Sequence, residues 1–472
     1  MVPGSFGIVR ILQRPVVVGA VAAVVLAAGV GLAFALRPAP EPPVDSARLR
    51  DAVTQEALVA HLEALQQVAD DHGGNRAAGT PGYAASVEYV QDRLEEAGYR
   101  TTRQQFSYER PDFTRATLRR TAPAATTYVV GRDHRPLAFS GSGATSARLT
   151  AVDVNLEAPG ETTSGCEAAD FAGFPRGDIA LVQRGTCQFA VKVDHAVAAG
   201  ATAVVVFNQG DDPGRTGLFA GTLGRQAAVP VLATSFELGA EWARTAGTTL
   251  MLAVDSTVAR VTSENLIAET AAGSPGRTLV VGAHLDGVAE GPGVNDNASG
   301  VAAVLETALQ FAELRVAPAN RVRFAFWGGE EDGLFGSAHY VAQLDAAARS
   351  GTAAYLNLDM IASPNPVAAV YSGGGGPGAG WPAGSARLQA VLADFLTAQG
   401  VAPQTVSFRS SDHASFLEAG IPVGGLFTGA DEATDPCYHQ ACDRVATVDR
   451  EMLHLMADTA AHATLTLANS PD

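Results

Sequence analysis

Five residues with zinc-binding side chains occur in this sequence, each inside its own short motif. Two are histidines and three are carboxylates: His284 in A-H-L-D, Asp296 in G-V-N-D-N-A-S-G, Glu331 in W-G-G-E-E-D-G-L-F-G-S, Asp359 in L-N-L-D-M-I and His439 in C-Y-H-Q-A-C-D. Imidazole and carboxylate suit a pair of borderline divalent cations that share one carboxylate, here Asp296. Glu330 directly precedes a ligand and is free to act as a base. The set predicts a hydrolase that uses two zinc ions.

Any one of these motifs has an ordinary structural explanation. A lone histidine after an apolar run is usually a satisfied loop residue, Asp-Asn-Gly stretches are usually turns, and a Glu-Glu pair is usually a solvated helix start. Chance accounts poorly for five such motifs in one chain, each of which follows a β-like apolar run. We therefore interpret the five together as one site.

The elements that must position these residues are short buried strands. The runs T-L-V-V-G, V-R-F-A-F-W and A-A-Y-L-N-L precede three of the motifs and are typical of parallel strands that are buried on both faces. Ligands at the carboxyl ends of such strands lie in the crevice where open α/β sheets bind substrates. The sequence therefore predicts an α/β fold with its site at that edge of the sheet.

The ordered motifs resemble those of the co-catalytic di-zinc aminopeptidases of clan MH, peptidase family 28, and especially the secreted bacterial leucyl-type enzymes. The likeness covers residues 258–472, and residues 50–110 more loosely through N-R-A-A-G-T-P-G-Y. It implies a three-layer α/β/α zinc-peptidase domain with a mixed central sheet. The implied activity is hydrolysis of amino-terminal residues, apolar and Leu-like, from peptide substrates with a free amino terminus.

The resemblance implies a metal-binding role for each of the five residues. His284 and Asp359 would complete one Zn²⁺, Glu331 and His439 would complete the other, and Asp296 would be shared between them. Two Zn²⁺ ions are therefore expected per chain.

Other site residues follow from the same resemblance. Glu330 would be the general base. Together with Asp359, it could also hold the substrate's α-ammonium group. Tyr438 would donate a hydrogen bond to the oxyanion, and Asp286 would be the carboxylate that orients a zinc-bound imidazole. In this family the peptide bond after the shared aspartate is commonly cis, so a cis bond is expected between Asp296 and Asn297.

One segment departs from the family's pattern. The family often has an Arg-Ser-Asp run, and here it is Arg409-Ser410-Ser411-Asp412-His413, so that an extra serine displaces Arg409 by one position. A role for Arg409 in binding a substrate carbonyl is therefore doubtful. Asp412 and His413 match other members, where they are not metal ligands, and they either shape the pocket or pack in the interior.

A second resemblance concerns the middle of the chain. The segment that begins at Cys166 looks like a protease-associated (PA) domain, with a strand at Ile179–Gln183, a helix through Lys192–Ala199 and a strand at Ala203–Asn208. Such domains carry no catalytic groups. The insert is expected to be β-rich, and it is either a lid or binding surface for substrates and partners, or a purely structural addition.

The chain is long enough for two domains, and five segments are predicted. They are a cytoplasmic basic region at 1–14, a signal anchor or signal peptide at 15–36, a Pro-rich linker at 37–49, the catalytic domain at 50–122 and 259–472, and the PA domain at 123–258.

The amino-terminal segment predicts export. The uncharged run at 15–36 follows two arginines and is long enough to span a bilayer, which favours an uncleaved anchor over cleavage at Ala33-Phe34-Ala35. In either case the remainder is expected on the extracellular side, anchored or secreted. Contact with the membrane is expected only through residues 15–36, if they stay attached.

Four cysteines in an exported chain allow three disulfide pairings. The predicted pairs are Cys166 with Cys187, inside the insert, and Cys437 with Cys442, which bracket Tyr438. Four buried thiols are the alternative, which suits the cytosol and not an exported protein. The loop closed by Cys437 and Cys442 is too short for the disulfide to stabilise the protein much through the entropy of the unfolded chain. Its expected role is therefore to hold the turn that bears His439.

Composition and missing motifs exclude other classes. A net charge of −17 argues against nucleic acids or anionic membrane surfaces as partners. Neither H-E-x-x-H nor G-x-S-x-G occurs, so a zincin and a serine hydrolase are both unsupported. The Gly-rich segment Ser372–Gly380 lacks a Lys-Ser/Thr partner for phosphate and is expected to be a loop near the cleft. No motif specifies an oligomeric state.

Two alternatives remain for the same scaffold. One is a carboxypeptidase or an enzyme like glutaminyl cyclase, and the other is a non-catalytic receptor with the same pair of domains. The complete set of five ligands speaks against both, because the cyclase type works with one zinc ion and the receptors lose ligands.

Overall fold

The structure is a computed structural model that describes residues 1, 45–157, 162–211, 215–374 and 381–470. The predicted basic region and signal segment lie outside the described residues, as does most of Ser372–Gly380. Within the described ranges, no helix combines the length and the apolar character that a membrane crossing requires.

Helices and strands alternate along much of the chain. The α-helices are α1 (Ser46–Ala52), α2 (Gln55–Asp71), α3 (Pro81–Glu96), α4 (Phe189–Ala199), α5 (Phe236–Arg244), α6 (Ser299–Glu313), α7 (Phe335–Ala342), α8 (Ala346–Gly351), α9 (Ser385–Ala398), α10 (His413–Glu418) and α11 (Arg450–Ala468). The strands are β1 (Thr101–Ala122), β2 (Thr126–Tyr128), β3 (His134–Pro136), β4 (Gly143–Ala151), β5 (Ile179–Gln183), β6 (Ala203–Phe207), β7 (Val231–Thr234), β8 (Thr249–Glu269), β9 (Ser274–His284), β10 (Asn320–Trp327), β11 (Thr352–Leu358), β12 (Ala369–Tyr371), β13 (Gln404–Val406) and β14 (Val423–Phe427).

Polar side chains begin several of these helices. Thr54, Thr80 and Asp449 each accept a hydrogen bond from a backbone N–H in the first turn of α2, α3 and α11. Asp45 caps α1 in the same way. The first helix begins at Ser46, within the last residues of the predicted Pro-rich linker, 37–49.

The larger sheet is mixed and carries the predicted parallel strands. Its order is β13-β12-β14-β11-β9-β10-β8, with β1 beyond β8. Strands β14, β11, β9 and β10 run parallel, whereas β12 and β8 are antiparallel to their neighbours β14 and β10. His284 ends β9 opposite Trp327, which ends β10, and Asp359 directly follows β11. The predicted site residues therefore emerge at one edge of the sheet.

Helices cover both faces of this sheet. In β9, Leu279 and Val281 belong to a large core with α1, α2, α3, α6, α9 and α11, whereas Val280 belongs to a second core with α7 and α10. Successive side chains of a strand point to opposite faces, so the two cores are the two sides of one sheet. The predicted three-layer α/β/α architecture with a mixed central sheet is confirmed.

A smaller β-rich unit interrupts this architecture, as predicted. Strands β1 and β8 pair antiparallel over almost their whole length, from Thr101↔Ala268 to Ala122↔Thr249. The carboxyl end of β8 pairs with β10 and its amino end pairs with β4, so the β1–β8 ribbon belongs to both units. The smaller sheet continues as β4-β5-β6-β7-β3.

The insert contains the predicted strand, helix and strand. β5 has the predicted bounds, α4 includes the predicted helix and begins three residues earlier at Phe189, and β6 ends one residue earlier at Phe207. The predicted boundary at 258/259 falls inside β8, and the domain limits themselves remain predictions.

Candidate metal centre

The structure brings the five predicted ligands together around Asp296. Its Oδ1 lies 3.2 Å from His284 Nε2 and its Oδ2 lies 3.2 Å from His439 Nε2. Asp359 Oδ1 is 3.3 Å from His284 Nε2, and Glu331 Oε2 is 3.0 Å from His439 Nε2. Each imidazole thus has its own terminal carboxylate, and Asp296 faces both groups. The pairing is the one that the resemblance implies, and the role of these residues as ligands remains a prediction.

Glu330 adds a third carboxylate to the His284 group. One donor atom each from His284, Glu330 and Asp359 lie within 4.8 Å of one another, as do atoms of His284, Asp296 and Glu331. Glu330 is therefore close enough either to serve as a base beside a metal ion or to bind that ion.

Asp296 lies in an irregular turn, Val294–Ala298, ahead of α6, and neither Asp296 nor Asn297 has helical backbone angles. The bond from Asp296 to Asn297 is cis, which agrees with the expectation from the resemblance. The Asn297 side chain donates to the carbonyl of Leu358 at 3.0 Å and accepts from the N–H of Met360 at 3.2 Å. These bonds tie the Asp296 turn to the end of β11, where Asp359 lies.

Asp443 is a site residue that the sequence motifs do not identify. It is buried, and its two carboxylate oxygens accept the N–H groups of Asn295 at 2.7 Å and Asp296 at 3.0 Å. It therefore joins the turn that carries His439 to the turn that carries Asp296. The available signal is its place at the end of C-Y-H-Q-A-C-D, next to Cys442.

Asp286 contacts His284 differently from the expectation. The ring Nδ1 lies 3.0 Å from the main-chain carbonyl oxygen of Asp286, whereas the carboxylate Oδ1 is 3.9 Å away. The carboxylate instead accepts the N–H groups of Glu330 at 3.2 Å and Glu331 at 3.3 Å. The main chain orients the imidazole, and the side chain orients the Glu330–Glu331 segment.

Arg76 explains part of the N-R-A-A-G-T-P-G-Y motif. Its guanidinium is fully buried and donates to three main-chain carbonyls, of Leu285 at 2.5 Å, Pro292 at 2.9 Å and Gly293 at 2.6 Å. These carbonyls lie between His284 and Asp296. Arg76 therefore fixes the loop that joins two predicted ligands.

Buried negative charge dominates the electrostatics of the centre. Burial raises the pKa of Glu330 well above its usual range; His284 opposes this rise and the charge of Glu331 adds to it. Burial, together with the charge of Asp296, raises the pKa of Glu331 to about 8. Burial would lower the pKa of His439, but hydrogen bonds to Asp296 and Glu331 outweigh it and raise the pKa to about 10. The cluster therefore favours any positive charge placed within it.

The donor atoms fit divalent metal ions. Glu331 Oε1 is buried and, among the residues that the structure describes, has no hydrogen-bond partner. A buried carboxylate oxygen without a partner is unfavourable unless a cation or donor reaches it. Imidazole nitrogen with carboxylate oxygen is a donor set that suits zinc.

Tyr438 lies at the rim of the centre. Its ring packs on the ring of His439 with 3.8 Å between centroids, and the residue is 37% exposed. Burial, followed by the charges of Asp296 and Glu331, holds the pKa of its phenol above the usual value, so the hydroxyl stays protonated and can donate.

Both predicted disulfides are present. The S–S distance is 2.09 Å between Cys166 and Cys187 and 2.11 Å between Cys437 and Cys442. The second bond closes the turn that carries His439.

The segment after Arg409 contributes through its serine. Ser411 donates to Asp359 Oδ2 at 2.5 Å and accepts from Asn357 Nδ2 at 2.8 Å, so the residue that departs from the family pattern orients a predicted ligand. Asp412 and His413 are both fully buried, which favours packing over the alternative of shaping the pocket. Arg409 is exposed.

Comparison with known proteins reveals close relatives of both units. The profile of peptidase family M28 matches residues 265–464, and the profile of the PA domain matches residues 146–259.

A Pseudomonas aeruginosa protein named "Aminopeptidase" is 41% identical over 439 residues, which cover 88% of this chain and 81% of the relative. A Mycobacterium tuberculosis protein named "Probable lipoprotein aminopeptidase LpqL" is 38% identical over 443 residues, covering 88% of this chain and 85% of the relative. The solved structure of an aminopeptidase from Aneurinibacillus sp. strain AM-1 superimposes with a TM-score of 0.71 at 26% identity, covering 89% of this chain and 95% of that chain.

Proposed function

We propose, from the premise that the chain belongs to peptidase family M28 as a metallo-aminopeptidase with an inserted PA domain, that it is an exported enzyme. In this proposal the enzyme uses two Zn²⁺ ions to remove amino-terminal residues from peptides. One observation carries the proposal. The two oxygens of Asp296 face two different imidazoles, each 3.2 Å away, and each imidazole has a separate terminal carboxylate.

In this proposal the chain's own side chains hold both ions. His284 and Asp359 would hold one Zn²⁺, Glu331 and His439 would hold the other, and Asp296 would be shared between the two sites. When bound, zinc ions lower the pKa of a water molecule and polarise the scissile carbonyl.

Glu330 acts as the general base and then as the general acid. It accepts a proton from the attacking water and returns that proton to the leaving amine, as one positioned carboxylate can. The hydrogen bonds that Asp286 accepts from the N–H groups of Glu330 and Glu331 support this role, because they fix the segment that carries the base.

Tyr438 stabilises the oxyanion that forms from the scissile carbonyl. Its ring packs on the ring of His439, and in this proposal its protonated hydroxyl donates a hydrogen bond to the developing negative charge. A donor that is already in place needs no reorganisation during the reaction.

Glu330 and Asp359 also bind the substrate's free α-ammonium group. Both are buried acidic side chains, and their donor atoms lie within 4.8 Å of His284 in one group. An ammonium ion there would form charge-assisted hydrogen bonds with both carboxylates. This contact makes the enzyme an exopeptidase, and its preference for an apolar, Leu-like first residue rests on the family resemblance.

The compartment in the proposal is the extracellular side, with the protein anchored by residues 15–36 or secreted. Two disulfides support it, because such bonds persist in oxidising compartments. The name of the Mycobacterium tuberculosis relative, a lipoprotein aminopeptidase, is consistent with an envelope location.

A panel of aminoacyl-arylamides, assayed before and after chelation, tests the proposal. We expect hydrolysis of free aminoacyl substrates, fastest for Leu and similar residues, with loss of activity after chelation and recovery on adding zinc. Elemental analysis should find about two zinc ions per chain, the number that a co-catalytic pair requires. Activity that survives complete metal removal would contradict the metal mechanism.

A further inference from the structure

We propose that Tyr108 is a positioning residue that holds the catalytic loop, residues 328–336, through Asp332, with Arg110 as a weaker second donor. Both lie on β1, the strand that leads into the inserted domain. The inference rests on the proposed function, because that function assigns Glu330 and Glu331 of this loop to proton transfer and metal binding.

Asp332 receives two donors from β1. The Tyr108 hydroxyl donates to Asp332 Oδ2, and Arg110 Nη1 lies 3.3 Å from the same oxygen. The Arg110 side chain is 38% exposed, so that ion pair contributes little. Tyr108 is only 7% exposed, and a buried hydroxyl that donates to a carboxylate makes the stronger bond of the two.

The ring of Tyr108 is in turn fixed against the catalytic loop. It stacks on Phe335 with 4.1 Å between ring centroids. On the other side it lies against Gly329, where an added Cβ would be 3.1 Å from the tyrosine hydroxyl oxygen. The backbone of Gly329 has φ 70°, a conformation that favours glycine. The hydroxyl therefore has little freedom to find another partner.

Asp332 and Glu330 belong to one tight turn. The carbonyl of Glu330 accepts the N–H groups of Gly333 at 2.8 Å and Leu334 at 2.9 Å, and Asp332 lies between these residues in sequence. A displacement of Asp332 would therefore move the backbone of Glu330. The Asp286 carboxylate accepts longer hydrogen bonds from the N–H groups of Glu330, at 3.2 Å, and Glu331, at 3.3 Å.

The partner strand β8 holds the two ends of the same loop. Asn265 Oδ1 accepts the N–H of Gly328 at 3.2 Å, and Asn265 Nδ2 donates to the carbonyl of Gly336 at 2.9 Å. The β1–β8 ribbon thus supports the catalytic loop at its ends through Asn265 and at its middle through Tyr108.

The first test is Tyr108→Phe, which removes the hydroxyl and keeps the stacked ring. Loss of one hydrogen bond that positions the base should lower kcat about three- to tenfold, with KM and zinc content unchanged. Tyr128→Phe is the matched control, since it also removes one hydroxyl, which accepts from Trp242 Nε1 at 2.9 Å in the insert. The control should keep the wild-type kcat.

A double-mutant cycle shows whether Tyr108 acts through Asp332. Asp332→Ala should lower kcat, and Asp332→Asn, which keeps an acceptor oxygen, should restore part of it. Adding Tyr108→Phe to Asp332→Ala should change kcat less than about twofold, because contacting residues are not additive.

The inference is overturned if Tyr108→Phe keeps the wild-type kcat, if the two effects multiply, or if KM rises as kcat falls. A wild-type protein that hydrolyses no aminoacyl substrate would instead overturn the proposed function. The two failures are therefore distinguishable in one set of assays.

Discussion

Glu330 and Glu331 are adjacent in sequence but belong to different halves of the centre. Glu331 Oε2 lies 3.0 Å from His439, whereas Glu330 groups with His284 and Asp359. Both backbone N–H groups are held by the carboxylate of Asp286. This shared anchor allows the two neighbouring side chains to have different chemical roles.

Substitution of Glu330 separates the base from the ligands. In Glu330→Gln the amide keeps the shape but cannot accept a proton, so kcat should fall roughly 10²–10⁴-fold while zinc content stays near wild type. The matched change Glu331→Gln should remove zinc together with activity. Steady-state kinetics and elemental zinc analysis measure both. Zinc loss from Glu330→Gln would show that Glu330 is a ligand.

Asp443 should be necessary for the stability of the centre. In Asp443→Asn one backbone N–H of Asn295 or Asp296 would face an amide NH₂, and a buried unsatisfied donor costs about 1–3 kcal/mol. We expect a lower Tm and faster zinc loss to a chelator. Asp255→Asn, at an exposed ion pair with Arg115, is the control and should behave as wild type. Unchanged zinc retention in Asp443→Asn would remove Asp443 from the support of the site.

The five candidate ligands that the structure brings together could be selected from the sequence, whereas the residues that orient them could not. Metal-binding side chains are recognisable by type when each one follows a buried apolar run, as His284 and Asp359 do. Asp443 and Ser411 are ordinary residue types, and their roles depend on distant partners. The bond from Asn295 to Asp443 spans 148 residues and the bond from Ser411 to Asp359 spans 52, beyond any local pattern.

At the scale of elements, the buried strands were predictable and the ribbon was not. β5, β9, β10 and β11 are short runs of buried residues, which periodicity identifies. β1 is mostly exposed or half-buried, and β8 combines buried stretches with an exposed one, so no single pattern marks either strand as continuous. Their length follows from tertiary pairing in both sheets, and this is why the predicted boundary at 258/259 falls inside a strand.

The two disulfides should have different effects. Cys437–Cys442 closes a separation of 5 residues around His439, whereas Cys166–Cys187 closes 21 residues in the insert. Paired Cys→Ser substitution of the first should lower kcat/KM and zinc retention, because it frees the turn that bears a ligand. The same change in Cys166–Cys187 should lower the Tm and leave kcat/KM near wild type, because a disulfide that closes a longer loop removes more entropy from the unfolded chain. Equal insensitivity of activity to both changes would make the short disulfide irrelevant to catalysis.

At the scale of the whole molecule, the fold gathers an excess of acid at one sheet edge. Strands β9, β10 and β11 deliver buried carboxylates to a site with only two imidazoles, inside a chain with a net charge of −17. Two divalent cations would balance most of this charge, and the remaining acidic oxygens would favour a substrate that brings its own positive charge. A free amino terminus is the cation that every unmodified peptide carries.

Acetylation of the substrate should therefore abolish most of the activity. Glu330 and Asp359 would gain charge-assisted hydrogen bonds of roughly 1.5–3 kcal/mol each from an α-ammonium group, and an acetylated terminus cannot form them. Peptides that differ only in N-acetylation should differ by about two or more orders of magnitude in kcat/KM, as in other sites built to pair a polar group. The matched control is the same peptide with an amidated carboxyl terminus, which should be cleaved as well as the unmodified one. Comparable hydrolysis of the acetylated peptide would rule out an aminopeptidase and favour an endopeptidase or a carboxypeptidase, and sensitivity to amidation would distinguish the carboxypeptidase.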